Sequence, residues 1–177
     1  NTKIGFGFNY VDKSLDITHD NDAMGEHGSH VEGISAANAY IPQEDGTFLN
    51  AYEKIKMQGV APDAQIITMK VFGKAGGAYV SDYMAAIEDA IVLGADSVNL
   101  SLGSTSPGFT RSEAYQEVMD RLTESDTVVV ISAGNAGHWA DNGFHGKKGY
   151  LYAEDVDMYT GGSPGAYPNA LTVASVD

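Results

Sequence analysis

Residues 127–131 read TVVVI, an unbroken β-branched run with no polar alternation. Two comparable runs precede it, AQIITMKV at 64–71 and SVNLSL at 97–102. Between them lie stretches with helical spacing. In the first, Ser81 is placed to cap a helix, with Asp82 in the first turn. Met84, Ile87, Ala90 and Ile91 then recur on one face, and Gly94 stops the run. In the second, residues 112–125 put Ala114, Tyr115, Val118, Met119 and Leu122 on one face. The order is strand, helix, strand, helix, strand. Strands that do not alternate are expected to be buried on both faces, in a parallel sheet covered by helices. This predicts an α/β fold. Its chemistry should sit in the loops beyond the carboxyl ends of the strands, after Val71, Leu102 and Ile131.

The rest of the chain is less regular. Residues 1–25 are polar and irregular, and 4–10 suit a short strand or an extended arm. A helical pattern starts near His27 and takes in Val31, Ile34 and Ala37. Residues 39–59 read as a loop with a polar insertion, and 170–176 as a closing strand. At 177 residues, with 43% apolar, the chain suits one domain with a real core. The net charge of −14 argues against nucleic acid and anionic membrane surfaces as partners. The absence of cysteine excludes disulfides and thiolate catalysis. No run approaches the roughly 20 apolar residues of a membrane span, and no signal peptide is visible at Asn1.

Six short segments carry chemistry or shape. His27-Gly28-Ser29-His30-Val31-Glu32-Gly33-Ile34 places two histidines three apart on one helical face. That spacing suits a structural pair, a general base or a metal site. At a helix N-terminus the dipole disfavours protonation of His27, which keeps an imidazole neutral and able to act as a base. Gly59-Val60-Ala61-Pro62-Asp63-Ala64 turns into the strand that ends at Lys70-Val71. The loop GKAGGAY at 73–79 leaves bare backbone at Gly76 and Gly77 and reads alone as a flexible βα loop; a family resemblance carried by these segments implies that a peptide adds there as a β-strand. Asn99-Leu100-Ser101-Leu102-Gly103 and Ser132-Ala133-Gly134-Asn135 each follow or end a buried strand. Tyr167-Pro168 precedes the closing strand, and a family resemblance carried by these segments implies a cis bond there.

Taken in order, these segments resemble the subtilases, the subtilisin-like serine peptidases. HGSHVEGI is similar to their usual HGTHVAGI, GVAPDA…MKV to GVAPxAxxxxxKV, NLSLG to NMSLG, and ISAGN to (V/A)AAGN. The resemblance runs from about Gly7 to Val176 and implies a three-layer fold with a mostly parallel sheet. It implies that His27 is the general base and that the Asn135 amide donates to the oxyanion. It further implies that Gly76, Gly77, Ser101, Leu102, Gly103, Ala133 and Gly134 line the substrate cleft. His27 and Asn135 should then face a common groove. His30 is expected to be a packed neighbour. Glu32 stands where a small residue is usual. Residues 7–12 (GFNYVD) and 20–28 (DNDAMGEHG) look most like the cell-envelope proteinase branch, which implies an extracellular or surface-anchored enzyme of a Gram-positive bacterium.

Two family motifs are missing. No D(S/T)G aspartate motif and no GTS nucleophile motif occurs, so the chain is expected to be a partial catalytic domain, inactive alone. Its expected partners are a polypeptide substrate, the remainder of the catalytic domain and a second copy through exposed edges. The chemistry requires no cofactor and no catalytic metal. Structural calcium on the acidic stretch 16–26 is conceivable. Two alternatives stand beside this reading. One is a non-catalytic binding or adhesion domain; the other is a metal hydrolase using His19, Asp20, Asp22, His27 and His30.

Overall fold

The computed structural model describes residues 3–20, 22–23, 25–103, 113–135 and 162–175. The chain divides into two compact units, Asn1–Ala86 and Ile87–Asp177.

In the first unit, β1 (Ile4–Asn9) pairs in parallel with β4 (Ile66–Lys70); Ile4 lies opposite Ile66, the register shifts between Ile4 and Phe6, and Phe6 to Asn9 then lie opposite Ile67 to Lys70. Parallel neighbours need a crossover, and α1 (His27–Ala36) lies within it. Asn9 is buried at the end of β1, and its amide is fully used. Nδ2 donates to Asp12 Oδ2 and to the Asp16 carbonyl, both at 2.9 Å. Oδ1 accepts from the Val11 and Asp12 amides at 3.1 and 3.0 Å. A buried amide with every partner supplied pins the turn that leaves the strand.

Residues 39–59 are structured, contrary to the loop expected there. β2 (Tyr40–Pro42) and β3 (Phe48–Asn50) form an antiparallel hairpin, followed by the short helix α2 (Ala51–Ile55). Asp45-Gly46 makes the turn, with Gly46 at φ +82°. Asp45 Oδ1 accepts from the Thr47 amide at 3.0 Å and its hydroxyl at 2.6 Å, which holds the carboxyl below the ordinary Asp pKa. The Asn50 side chain caps α2 by accepting from the Tyr52 amide at 2.9 Å. Asp-Gly between two apolar pairs is a hairpin signal, and the surrounding polarity obscured it.

The division between units falls inside α3 (Val80–Val92). Ser81 lies within this helix and not at its cap, because the Tyr79 carbonyl already accepts from the Asp82 and Tyr83 amides. Tyr83, Ala86, Ile87 and Ala90 are its buried residues.

The second unit holds a parallel sheet in the order β5 (Ser97–Leu100), β6 (Val128–Ser132), β7 (Leu171–Val173). The amphipathic α4 (Glu113–Glu124) buries Tyr115, Val118, Met119 and Leu122, while Ala114 is exposed. The Tyr115 ring stacks on Tyr167 at 4.5 Å. Asn169 Nδ2 donates to the Met119 carbonyl at 3.1 Å and to Thr123 Oγ1 at 2.7 Å, tying the segment before β7 to α4. The cis bond here is Ser163–Pro164 and not Tyr167–Pro168. Burial on both faces is also not what the strands show. β6 buries Val129 and Ile131 but leaves Val128 exposed, and Leu171 and Val173 of β7 are open. Ile4 and Phe6 of β1 are likewise exposed. These strands are parallel as expected, but among the described residues nothing covers these apolar side chains.

Candidate active site

The candidate residues divide between the units, with His27, Gly76 and Gly77 in the first and the remainder in the second.

His27 is the first residue of α1, whose N-cap position is held by Glu26 without a side-chain cap. The imidazole is half-buried and meets the Phe72 ring edge-on, with centroids 6.4 Å apart. Phe72 lies two residues beyond β4 and bridges to Ala78, closing the glycine loop between them. Inside that loop the Gly76 amide donates to the Gly73 carbonyl at 2.8 Å, and the Gly73 amide to the Gly77 carbonyl at 3.3 Å. The histidine and the glycine loop therefore meet where β4 ends, the position that parallel α/β sheets give to sites. Gly28, Ser29 and His30 are exposed. His30 was expected to be packed, but no described element covers it.

The segment Gly59-Val60-Ala61 serves the histidine helix. Its three amides donate to the Ala37, Ile34 and Ser35 carbonyls at 2.9, 3.0 and 2.8 Å. These are acceptors that a helix leaves without partners at its C-terminus. Two of the motifs thus form one mechanical unit, with the histidine at one end of α1 and the Gly-Val-Ala-Pro turn gripping the other.

Glu32 also has a partner. Thr68 Oγ1 of β4 donates to Glu32 Oε1 at 2.6 Å. Lys70 of β4 pairs with Asp22 and donates to the Thr18 carbonyl. Asp16 accepts from the Thr18 hydroxyl at 2.7 Å and amide at 3.0 Å, and these bonds lower its pKa. Among the described residues, no group of three or more His, Cys, Asp or Glu is arranged to hold a metal ion. The metal-hydrolase alternative has Asp22 held by an ammonium group.

In the second unit, Ser101 and Leu102 are half-buried and Gly103 is exposed just beyond β5. Ala133 is half-buried, and Gly134 and Asn135 are exposed just beyond β6. Gly134 has φ +103°, a conformation that only glycine adopts without strain, and it redirects the chain into Asn135. Ser132 Oγ donates to the Leu102 carbonyl at 3.3 Å, joining the two strand ends. The turn at 162–165 backs them. The Gly162 amide donates to the Ala133 carbonyl at 2.9 Å. A Cβ on Gly165 would stand 2.7 Å from the Ser132 carbonyl, and one on Gly103 would stand 3.3 Å from the Ser163 carbonyl. Gly162-Ser163-Pro164 lies outside the motifs that mark the candidate site in the sequence. Its composition signals a turn, but its place against Ala133 depends on long-range pairing.

These strand-end loops, with a helix-borne histidine in one unit and a glycine-asparagine turn in the other, belong to a parallel α/β protein. The family model described as "Subtilase family" matches residues 7–177. A PI-type proteinase of Lactococcus lactis subsp. cremoris is 37% identical over 180 residues, covering 100% of this chain and 9% of the relative. A PII-type proteinase of Lacticaseibacillus paracasei is 36% identical, covering 99% of this chain and 9% of the relative. A C5a peptidase of Streptococcus pyogenes is 34% identical over 152 residues, covering 85% and 12%. The chain belongs to the subtilase family. It spans about a tenth of the length of these relatives.

Proposed function

We propose that this chain supplies the general base and the oxyanion donor of a secreted serine endopeptidase. The nucleophilic serine and the triad aspartate come from parts of the protein outside residues 1–177. His27 takes the proton from the serine hydroxyl as it attacks the scissile carbonyl, and returns it to the leaving amine. The Asn135 carboxamide donates a hydrogen bond to the oxygen on which negative charge develops. Gly76 and Gly77 on one side, and Ser101, Leu102 and Gly103 on the other, hold the substrate backbone as an added strand. Ala133 and Gly134 shape the floor beside the oxyanion. The reaction needs no cofactor. The protein acts outside the cell or at the envelope of a Gram-positive bacterium, and polypeptides are its substrates. None of the described helices is long and apolar enough to cross a membrane.

The observation that carries this reading is the family match running through both His27 and Asn135, with each at the site-forming end of its strand or helix. The test is peptide hydrolysis by the longer protein. Asn135→Gly should lower kcat roughly 10²–10³-fold with little change in KM, the magnitude found for the corresponding donor of subtilisin, itself a subtilase. An Asn135→Gly variant with wild-type kcat would remove the asparagine from the mechanism.

A further inference from the structure

We propose that Thr68 and Lys70 of β4 form a two-point clamp that positions the His27 imidazole, with Glu32 and Asp22 as the gripped partners. The proposal rests on the peptidase reading above.

Successive side chains of a strand alternate between its faces, so Thr68 and Lys70 project from the same side of β4. Each reaches an acidic residue on the histidine segment. Thr68 donates its hydroxyl to Glu32 Oε1 at 2.6 Å. Lys70 Nζ pairs with the Asp22 carboxylate and donates to the Thr18 carbonyl. Asp22 and Glu32 lie five residues before and five after His27. The catalytic candidate is therefore centred between two tethers to one strand face.

Both tethers are sheltered. The Lys70 and Asp22 side chains are only 13% and 12% exposed, so their attraction is weakly screened by water. A hydroxyl bonded to a carboxylate is likewise stronger than a neutral pair. The path from Asp22 to His27 is short and bonded. The Gly25 amide donates to the Asp22 carbonyl at 3.0 Å, and the Ala23 amide to the Lys74 carbonyl at 3.1 Å. The Glu26 carbonyl then takes the His30 amide at 2.8 Å as the helix begins. Sideways drift of α1 at Glu32 is opposed by Thr68, and drift of its approach by Lys70. This also gives Glu32 a reason to stand where a small residue is usual. A base must hold its proton acceptor within a few tenths of an ångström of the attacking hydroxyl, and a 1 Å misplacement costs up to about 100-fold in rate.

The test uses the longer protein. Its active serine is titrated to completion with a fluorophosphonate probe, so that rates refer to competent sites only. Melting temperatures are recorded alongside. Per titrated site, Thr68→Val and Lys70→Met should each lower kcat roughly 10- to 100-fold with KM nearly unchanged. Lys70→Arg and Glu32→Gln keep the pairing charge or the acceptor oxygen, and should recover most of the rate. A merely structural pair would lower the melting temperature and leave per-site kcat alone. Unchanged per-site kcat in both Thr68→Val and Lys70→Met overturns the clamp while leaving the peptidase reading intact. A wild-type protein that takes up no probe overturns the peptidase reading, and the clamp falls with it.

Discussion

A Cβ on Gly59 would lie 2.2 Å from the Ala37 amide nitrogen and 2.5 Å from Ala36 Cα. Both are backbone atoms and cannot swing aside. Gly59→Ala should therefore push the Gly-Val-Ala-Pro turn off the C-terminus of α1 and cost about 1–3 kcal/mol or more, read as a lower melting temperature. A melting temperature equal to wild type would show that the turn does not grip the helix. This turn was legible in the sequence because it sits in a short local motif, and the same locality is what marks His27 and Asn135 as candidates. The partners of Glu32 and Asp22 were not, because Thr68 lies 36 residues from the one and Lys70 48 residues from the other. Hydrogen bonds made across a strand pairing leave no local trace in composition or periodicity. The packed environment expected for His30 also failed, since its spacing from His27 says nothing of what covers it.

Elements were legible where periodicity was strong. The buried face of α4 matches its apolar spacing at Tyr115, Val118, Met119 and Leu122. The strands at 66–70 and 97–100 fall within the apolar runs that marked them, and that at 128–132 runs one residue past the run 127–131. The hairpin at 40–50 was missed because its strands are three residues each and all its residues but Ile41 are polar or exposed. Two predictions belong here. Tyr167 is 2% exposed and stacked on Tyr115, so Tyr167→Ala should cost about 3–5 kcal/mol through the cavity it leaves. A loss below about 1 kcal/mol in denaturant unfolding would contradict that packing. The second concerns the hairpin turn. The Thr47 bonds lower the Asp45 pKa, so the turn gains from the ionised form. That gain is complete above the ordinary Asp value of 3.8 and is lost as the pH falls through the lower folded value. Amide exchange across residues 43–50 should quicken in that acidic window for the wild type. Asp45→Asn should lack this pH response, and an identical acid response in both would refute the assignment.

At the scale of the whole molecule, the two units account for the open apolar surface. A parallel sheet in an α/β protein is normally covered on both faces. Here Ile4, Phe6, Val128, Leu171 and Val173 are exposed on the sheets of the two units. The apolar runs correctly marked the strands and their direction, but a run of hydrophobic residues cannot say which chain segment will cover it. Residues 1–177 in isolation are expected to self-associate through these surfaces in sedimentation velocity and to hydrolyse no peptide. A monomer at every concentration would contradict the first expectation, and turnover the second.

Within the longer protein the chemistry assigned to His27 has a direct readout. Fluorophosphonate probes react with a serine only when a neighbouring base has activated it. The wild-type protein should take up one equivalent on a serine outside residues 1–177, and His27→Ala should abolish that labelling without unfolding the protein. Labelling of a folded His27→Ala protein at the wild-type rate would contradict the account.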